Sequence, residues 1–354
     1  SENLRVLAIE TSCDDTSVAL VRQDGTVEIS FSANQDLAHA PYGGIVPEIA
    51  SRNHTHHLLP LIEQALGDTS LTWNDIGGIA VTNRPGLIGA LIVGLMTAKS
   101  LSMAKSIPLI GVNHLEGHLL APFLRDSTYQ PPFEFDSPVL ALTISGGHTS
   151  LVLMKTWGQY QLLGETKDDA AGEALDKFAK VLGLGFPGGA QVDRESKKGD
   201  LAKYPFPRAM VGENGLDFSF SGLKSSGARL VNQIIENEGK EAVDSQRADL
   251  CASYQEAVID SLLTRLTQAV KKTGIKKIII TGGVSANSRL REKSIELAKD
   301  KGWQIAIPPL RYCTDNAAMI GFAGVWRLNK GFSHGPDLAP SPSLWDGDFQ
   351  EAKS

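Results

Sequence analysis

Two segments of the chain repeat one sixteen-residue pattern, and this repeat constrains the fold more than any other feature. Residues 6–21 read VLAIETSCDDTSVALV, and residues 139–154 read VLALTISGGHTSLVLM, with seven identities and no gap. Each copy has a β-rich run, a short polar turn and a second β-rich run, which is typical of a β-hairpin. The turns are Ser12-Cys13-Asp14-Asp15 and Ser145-Gly146-Gly147-His148. The repeat therefore predicts two similar halves, each with a turn that can approach a ligand closely.

Strands and helices alternate along the rest of the chain, which predicts the α/β class with two lobes. Hydrophobic periodicity, glycine turns and capping residues predict helices over 47–66, 89–105, 170–182, 247–272, 286–301 and from Asn316 to about Leu328. The same signals predict strands over 25–35, 76–82, 109–113, 277–281 and 305–307.

Composition excludes several classes of protein. With 354 residues the chain is long enough for two hydrophobic cores, and its formal charge of -6 argues against broad electrostatic coating of nucleic acid. The cysteines Cys13, Cys251 and Cys313 are isolated, which favours a reducing compartment over a disulfide framework. The N-terminal residues show no secretory signal, and the apolar runs are too short and interrupted to predict a membrane span. These features predict a soluble intracellular protein.

Two histidines four positions apart give the first chemical signal. His114 and His118 stand in GVNHLEGH, just after the predicted strand 109–113. On a helix this spacing stacks both imidazoles on one face, where they can share a metal ion if a carboxylate joins them from elsewhere. The order differs from the protease motif His-Glu-x-x-His, because Glu116 follows the first histidine by two positions. A helix start with two partly exposed histidines is the alternative.

Eight blocks in order carry a resemblance to a known family. They are VLAIETSCDDTSVAL, YGGIVPEIASR, NHLEGHLLAP, ISGGHT, DDAAGEALDK, GLDFSFSGLK, TGGVSAN and CTDNAAMI. Over about residues 5–330 the chain resembles the TsaD family of tRNA N6-adenosine threonylcarbamoyltransferases, within the actin, Hsp70 and sugar-kinase superfamily. The resemblance implies two similar actin-like, ribonuclease-H-like lobes, with the ligand site in the cleft between them. We expect the lobes at 1–112 and 113–330, with helical insertions at about 165–270 and a tail of unassigned function at 331–354.

The resemblance also implies site residues. It assigns the metal ligands to His114, His118 and Asp315, binding one divalent ion per chain, Fe2+ or Zn2+. Further substrate contacts are implied at Thr143, Ile144, Ser145, Gly146, Gly147, Asp176, Gly189, Asp193 and Asn287. Taken singly, the glycines could be turn residues, Asp176 a surface helix residue and Asn287 a helix cap.

The implied reaction moves a threonylcarbamoyl group from threonylcarbamoyl-AMP to N6 of the adenosine at tRNA position 37, next to the anticodon, and releases AMP. Such a transfer must position the carbamoyl carbon and stabilise charge on the carbonyl and phosphate oxygens. Our candidates for removing the amine proton are Asp14 and Asp15, in the first turn. We expect Glu116 to orient the histidine ligands.

The tRNA substrate needs a local basic surface on this acidic chain. The segment 194–208 reads RESKKGDLAKYPFPR and combines five basic residues with Tyr204 and Phe206, which is a candidate phosphate-and-stacking surface. Partner proteins could supply the rest of the positive charge. The resemblance implies a non-catalytic, TsaB-like paralogue and a TsaE-like P-loop ATPase, with a homodimer as an alternative. It favours the cytoplasm, with the mitochondrial matrix as the alternative.

Three other functions compete with the transferase. A small-molecule or carbohydrate kinase of the same superfamily would leave the histidine pair unexplained. A metallopeptidase is disfavoured because the His-Glu-x-x-His order and a Gly-x-Ser-x-Gly motif are both missing from the sequence. A chaperone-like nucleotide switch or a scaffold would have no need of both histidines and Asp315.

Overall fold

The computed structural model describes residues 3–33, 46–208, 215–341 and 349–351. The end of the predicted strand 25–35, the start of the YGGIVPEIASR block and parts of the tail lie outside the described residues. The chain divides into two compact units: unit 1 contains residues 1–134 and 308–346, and unit 2 contains residues 135–307 and 347–354. This division differs from the expected ranges 1–112, 113–330 and 331–354.

Unit 1 is built on a sheet with the strand order β3-β2-β1-β4-β5. Strands β1 and β2 are antiparallel, whereas β4 runs parallel to both β1 and β5. Its described strands are β1 (Arg5–Glu10), β2 (Thr16–Arg22), β3 (Val27–Ala33), β4 (Gly78–Arg84) and β5 (Leu109–Asn113). Its described helices are α1 (Pro47–Thr69), α2 (Ile88–Lys105), α3 (His114–Leu120), α9 (Leu310–Cys313) and α10 (Ala317–Asn329); the labels α4–α8 belong to unit 2.

Close packing of α10 explains why the chain returns to unit 1. One face of the sheet packs its apolar side chains with α1 and α2, while α10 contacts β1, β2, β4 and β5. A Cβ added at Gly321 would lie 2.7 Å from a Val21 methyl, and one at Gly324 would lie 2.4 Å from Ala80 Cβ. These two glycines therefore let the helix lie close against the strands, and its burial ties residues 317–329 to the N-terminal sheet.

Helix α2 bears on the expectation that no segment spans a membrane. Among the described residues it is the one helix that is long and apolar enough to cross a membrane by length and composition, and no such segment was expected. In the structure 28% of its residues are buried, and it contacts α1, β1 and β4. Core helices of α/β units meet the same criterion, so the feature is weak evidence for a membrane span.

Unit 2 repeats the arrangement of a central sheet with helices, on six described strands instead of five. Its sheet has the order β10-β9-β6-β7-β8-β11. Its described strands are β6 (Val139–Ile144), β7 (Thr149–Thr156), β8 (Gln159–Glu165), β9 (Lys277–Thr281), β10 (Gln304–Ala306) and β11 (Phe349–Glu351). Its described helices are α4 (Ala171–Val181), α5 (Gly188–Ser196), α6 (Ser221–Glu238), α7 (Lys240–Thr273) and α8 (Ser288–Lys301). Helices α5 and α6 lie within the helical insertions expected at about 165–270, although their bounds were not predicted, and α7 begins seven residues before its predicted start.

Both predicted hairpins are confirmed in the same register. The terminal residues of the first repeat, Val6 and Val21, pair across β1 and β2. The terminal residues of the second repeat, Val139 and Met154, pair across β6 and β7. The sequence repeat is therefore a structural repeat, with one copy in each unit.

Candidate functional site

Two short segments of unit 1 bring the predicted metal ligands together. Helix α3 starts directly at the end of β5, where the side chain of Asn113 accepts a hydrogen bond from the Leu115 N–H at 2.8 Å and caps the helix. Both imidazoles then lie on one face, one turn apart. Asp315 stands between α9 and α10, where its carboxylate reaches the histidine pair.

The three donor atoms form a compact triangle. Asp315 Oδ1 lies 3.0 Å from His114 Nε2 and 3.1 Å from His118 Nε2, and the two Nε2 atoms are 3.1 Å apart. A tetrahedral zinc ion with bonds of about 2.0–2.1 Å separates its ligands by about 3.3 Å. The observed triangle is therefore close to the size that such an ion requires, and two nitrogens with one carboxylate suit iron or zinc.

Charge inside the site favours a divalent cation. Burial lowers the pKa of His114, but the carboxylates of Asp315 and Glu10 outweigh burial and hold that pKa well above its usual value. Burial raises the pKa of Asp315, but the two histidines outweigh it and hold the pKa far below the usual range. The pKa of His118 is lowered, chiefly by burial. Two carboxylates thus face one imidazolium and one neutral imidazole, and a metal ion would displace the His114 proton.

Sequence reasoning missed Glu10, which holds the far side of the His114 ring. Glu10 Oε2 lies 2.9 Å from His114 Nδ1, and the hydroxyl of Thr82 donates to the same oxygen at 2.8 Å. The N–H of Ser12 donates to the other oxygen. A carboxylate on the second nitrogen of a histidine ligand fixes the orientation of the ring and makes it a better ligand. The only sequence signal was an acidic residue at the end of a buried strand.

The expectation for Glu116 was wrong. Its carboxylate accepts two hydrogen bonds from Arg327 of α10, at 2.6 and 2.8 Å, instead of orienting a histidine. Two positions along a helix turn a side chain by about 200°, so Glu116 leaves α3 on a different side from His114. This partly buried ion pair joins α3 to α10.

The first hairpin turn lies beside the triangle. Cys13, Asp14 and Asp315 form a second group whose possible ligand atoms lie within 4.8 Å of one another. Burial, followed by the charges of Asp315 and Asp14, raises the pKa of the Cys13 thiol, which keeps it protonated and a poor ligand. Asp15 is half-buried in the same turn.

Another residue that sequence reasoning missed supports this turn from α1. The buried His54 lies 2.7 Å from the Cys13 carbonyl oxygen through Nε2 and 2.7 Å from the Thr16 hydroxyl through Nδ1. Because a carbonyl only accepts, Nε2 carries the proton and Nδ1 accepts from Thr16. His54 therefore fixes both ends of the turn.

In unit 2 the second turn is open. Ser145 and His148 close it through a backbone hydrogen bond of 2.8 Å. A Cβ added at Gly146 or Gly147 would meet nothing within 4 Å, whereas one at Gly172 would lie 2.5 Å from the Ser145 carbonyl oxygen. The start of α4 therefore lies against the turn, and the space above both turn glycines is open. Thr143 and Ile144 are buried in β6, where the Thr143 hydroxyl pairs with that of Ser150 at 2.6 Å.

The remaining predicted contacts fall into two clusters in unit 2. Asp176 Oδ1 accepts the Gly189 N–H at 2.8 Å, which joins α4 to the start of α5, and burial raises the Asp176 pKa. Asp193 accepts two hydrogen bonds from Ser288, at 3.0 and 2.8 Å. Asn287 caps α8 by accepting from the Leu290 N–H and donates to Gln255 at 2.7 Å. Asp193 and Asn287 thus have structural roles, and Gln255, which was not predicted, bonds to both.

The predicted stacking surface at 194–208 is partly wrong. Phe206 is buried, where it packs against Phe178 and Tyr254. Tyr204 is half-buried, and Lys203 and Arg208 form ion pairs with Asp249 and Asp260. Arg194, Lys197 and Lys198 stay exposed, and none of them forms an ion pair with another residue that the structure describes. Phe206 was predicted to lie on the surface because charged residues surround it in the sequence, but it belongs to the hydrophobic core.

Comparison with known proteins identifies the family. The family description "TsaD: tRNA N6-adenosine threonylcarbamoyltransferase" matches residues 26–322. A protein of that name from Bdellovibrio bacteriovorus is 59% identical, over 98% of this chain and 99% of its own length. Relatives of the same name from Anaeromyxobacter dehalogenans and Clostridium botulinum are 47% and 45% identical, over 96% and 97% of this chain and 98% of their own lengths.

Solved structures agree on the fold. HypF from T. kodakarensis superposes with a TM-score of 0.59 at 13% identity, covering 93% of this chain and 48% of that protein. A likeness at this identity shows the fold alone, and it confirms the predicted actin-like α/β class. On the sequence matches, which span nearly the whole chain, the chain belongs to the TsaD family of tRNA N6-adenosine threonylcarbamoyltransferases.

Proposed function

We propose that this chain transfers the threonylcarbamoyl group of threonylcarbamoyl-AMP to N6 of adenosine 37 in tRNA, with release of AMP, at a metal-containing site. The family match over residues 26–322 carries the reaction. In the transfer, N6 attacks the carbamoyl carbon, the bond from that carbon to the phosphate oxygen breaks, and the amine loses a proton.

Three residues of unit 1 fit the metal. Because their donor atoms already lie 3.0–3.1 Å apart, His114, His118 and Asp315 would hold a divalent Fe2+ or Zn2+ ion with coordination positions left for substrate. Such an ion, when bound, supplies a Lewis acid for the phosphate or the threonyl carboxylate. Glu10 keeps the His114 ring in place.

Unit 2 supplies the contacts to the adenylate. Gly146 and Gly147 leave the backbone of the second turn open, and the start of α4 lies against it, which suits a phosphate. Thr143 and Ile144 hold this turn in the sheet as the end of β6. We assign the ribose and purine to the Asp176–Gly189 and Asp193–Asn287 clusters. In support, Asp176 uses one carboxylate oxygen for the Gly189 N–H among the described residues, which leaves the second for a ligand.

Proton removal from the amine falls to the first turn. Asp14 is the stronger candidate because its carboxylate lies within 4.8 Å of Asp315, and Asp15 is the second. Asp14→Asn should lower turnover more than adenylate binding, because the positioned base is lost while the nucleotide contacts remain. Turnover equal to that of the wild type would remove Asp14 from the mechanism.

The direct test is nucleoside mass analysis of tRNA after incubation with threonylcarbamoyl-AMP, with and without candidate partners. Formation of threonylcarbamoyladenosine at position 37 is the expected result. Its absence in every combination, with phosphorylation of a small molecule instead, would contradict the proposal.

An exposed apolar surface on unit 1 fits the proposed protein partners. On α2, exposed apolar side chains recur every four residues at Ile88, Ile92 and Met96. This stripe suits a helix of the TsaB-like paralogue, which we propose as the partner, with a TsaE-like ATPase joining the pair. Ile92→Asp should then abolish co-elution with the paralogue, whereas Ile295→Asp, at an exposed site on α8, should not. Loss of self-association instead would point to a homodimer.

Two exposed lysines directly after α5 fit tRNA. Neutralising Lys197 and Lys198 together should lower the salt slope of tRNA binding by about 2, because each lost phosphate contact removes about 1. An unaltered slope would refute this surface.

We place the protein in the cytoplasm, in keeping with its bacterial relatives, with the mitochondrial matrix as the alternative.

A further inference from the structure

Asp126 joins the chain segment after α3 to the segment before Asp315. Its carboxylate accepts hydrogen bonds from Arg311, at 2.9 Å to Nε and 2.7 Å to Nη2, and from the Tyr312 hydroxyl at 2.6 Å. Arg311 and Tyr312 belong to α9 and precede Asp315 by four and three residues. Asp126 follows His118 by eight residues. The Asp126 carboxylate thus connects the segment that follows the predicted histidine ligands to the segment that precedes Asp315.

Hydrogen bonds also fix the position of Asp126, whose carboxylate is the acceptor in these contacts. The N–H of Asp126 donates to the Tyr129 carbonyl at 3.0 Å, and the Tyr129 hydroxyl donates to the Pro122 carbonyl at 2.7 Å. Pro122 lies in the short helical turn 121–123 that directly follows α3. The Asp126 carboxylate is therefore fixed relative to the end of the helix that carries His114 and His118.

Helix α9 cannot hold its own position. It has four residues, and isolated helices shorter than about 12 residues are marginal in water. Beyond Asp315 the chain is anchored separately, because the Asn316 side chain caps α10 and the Ala317 N–H donates to the Ser17 hydroxyl at 2.8 Å. On the other side of Asp315, the Asn316 amide donates to the Tyr312 and Thr314 carbonyls, and the contacts to Asp126 are the side-chain link from α9 to the segment that follows α3.

We propose that Asp126 is a positioning residue that sets the Asp315 carboxylate against the histidine pair and thereby tunes metal affinity. The inference rests on the proposed His114–His118–Asp315 centre. Metal sites tolerate ligand displacements of about 0.2 Å, so a looser α9 would weaken the site without removing a ligand. Loss of a supporting contact to a metal ligand typically weakens binding by about 10- to 100-fold.

The test measures the Co2+ dissociation constant by chelator competition, together with the melting temperature of the metal-free protein. Asp126→Ala should weaken Co2+ binding by about 10-fold, and Asp126→Asn by less, because the amide still accepts. The matched control is Glu134→Gln, which breaks an ion pair of 2.7 Å with Arg125 in the same unit without touching α9. It should leave the dissociation constant unchanged.

Each alternative outcome is distinct. A lower melting temperature with an unchanged dissociation constant would make Asp126 a purely structural residue and overturn the inference. Failure of the wild type to bind Co2+ would overturn the proposed centre and the inference with it. If Asp126→Ala does not fold, Asp126→Asn and Tyr312→Phe carry the same test, and wild-type affinity in both would again refute the inference.

Discussion

The two hairpin turns stand on the same frame and differ in their chemistry. A shift of 133 residues aligns the paired strands, so Glu10 corresponds to Thr143, and Cys13-Asp14 corresponds to Gly146-Gly147. In unit 1 side chains fill the turn, and Glu10 and Ser12 contact a predicted metal ligand. In unit 2 the turn leaves its backbone open. The comparison teaches that one repeated backbone can carry two turns of different chemistry, and that a few side chains make the difference.

The largest effect should follow from removing the charge that distinguishes the first strand from its repeat. Glu10→Gln keeps the shape but removes the carboxylate from His114, so metal affinity should fall by about 10- to 100-fold in a chelator competition. Glu116→Gln is the matched control, because Glu116 is closer in sequence but bonds to Arg327. Equal losses of metal affinity in both variants would mean that general destabilisation of the fold causes the loss, and not the missing contact between Glu10 and His114.

The open turn gives the next effect. Gly147→Val adds a side chain where an added Cβ meets nothing within 4 Å, so the fold should persist while the space for a phosphate is filled. Adenylate affinity, measured by calorimetry, should fall by about 10-fold, the loss of one charge-assisted hydrogen bond. Gly222→Val, where the same space is open on α6, should bind normally. If Gly147→Val binds the adenylate as tightly as the wild type does, the nucleotide does not bind at this turn.

A smaller effect compares carboxylates that support a helix start in each unit. Asp126 anchors α9, and Asp168 accepts the N–H groups of Phe220 and Ser221 at the start of α6. Despite burial, hydrogen bonds lower the pKa of each carboxyl, so each stabilises the fold above its unfolded pKa, near 3.9, and less as pH falls through the lowered value. Changing Asp126 to Asn should cost about 1 kcal/mol at pH 7 and little at acid pH, and changing the exposed Asp168 should cost less because water screens its charge. Chemical denaturation across pH would show it, and a constant cost would exclude the carboxylates as the cause.

The smallest effect concerns the alternative group of ligands in the first turn. Cys13→Ser should change metal affinity less than about twofold, because the thiol is protonated and the histidine pair supplies the ligands. A thiolate-to-cobalt charge-transfer band in the wild type that disappears in Cys13→Ser would instead place the ion at Cys13, Asp14 and Asp315.

Local patterns in the sequence predicted the frame well. The hairpins follow from the repeat, and His114 and His118 share a helix face because their spacing is local. Asp315 could not be found from spacing, since 197 residues separate it from His118. It came only from the family resemblance.

The errors arose where neighbours in sequence are not neighbours in space. Glu116 is adjacent to both histidines along the chain but points to Arg327, whereas Glu10 is distant along the chain and reaches His114. Phe206 stands among charges in the sequence and packs in the core. Such pairings depend on how strands and helices meet, which no single segment encodes.

The central claim is that the turn in unit 1 adjoins a metal centre and the turn in unit 2 does not, and elemental analysis of three purified proteins tests it most directly. The wild type and Gly147→Val should each contain about one Fe2+ or Zn2+ ion per chain, as a single site of this size allows, and Asp315→Ala should contain almost none. A full complement of metal in Asp315→Ala would contradict the account.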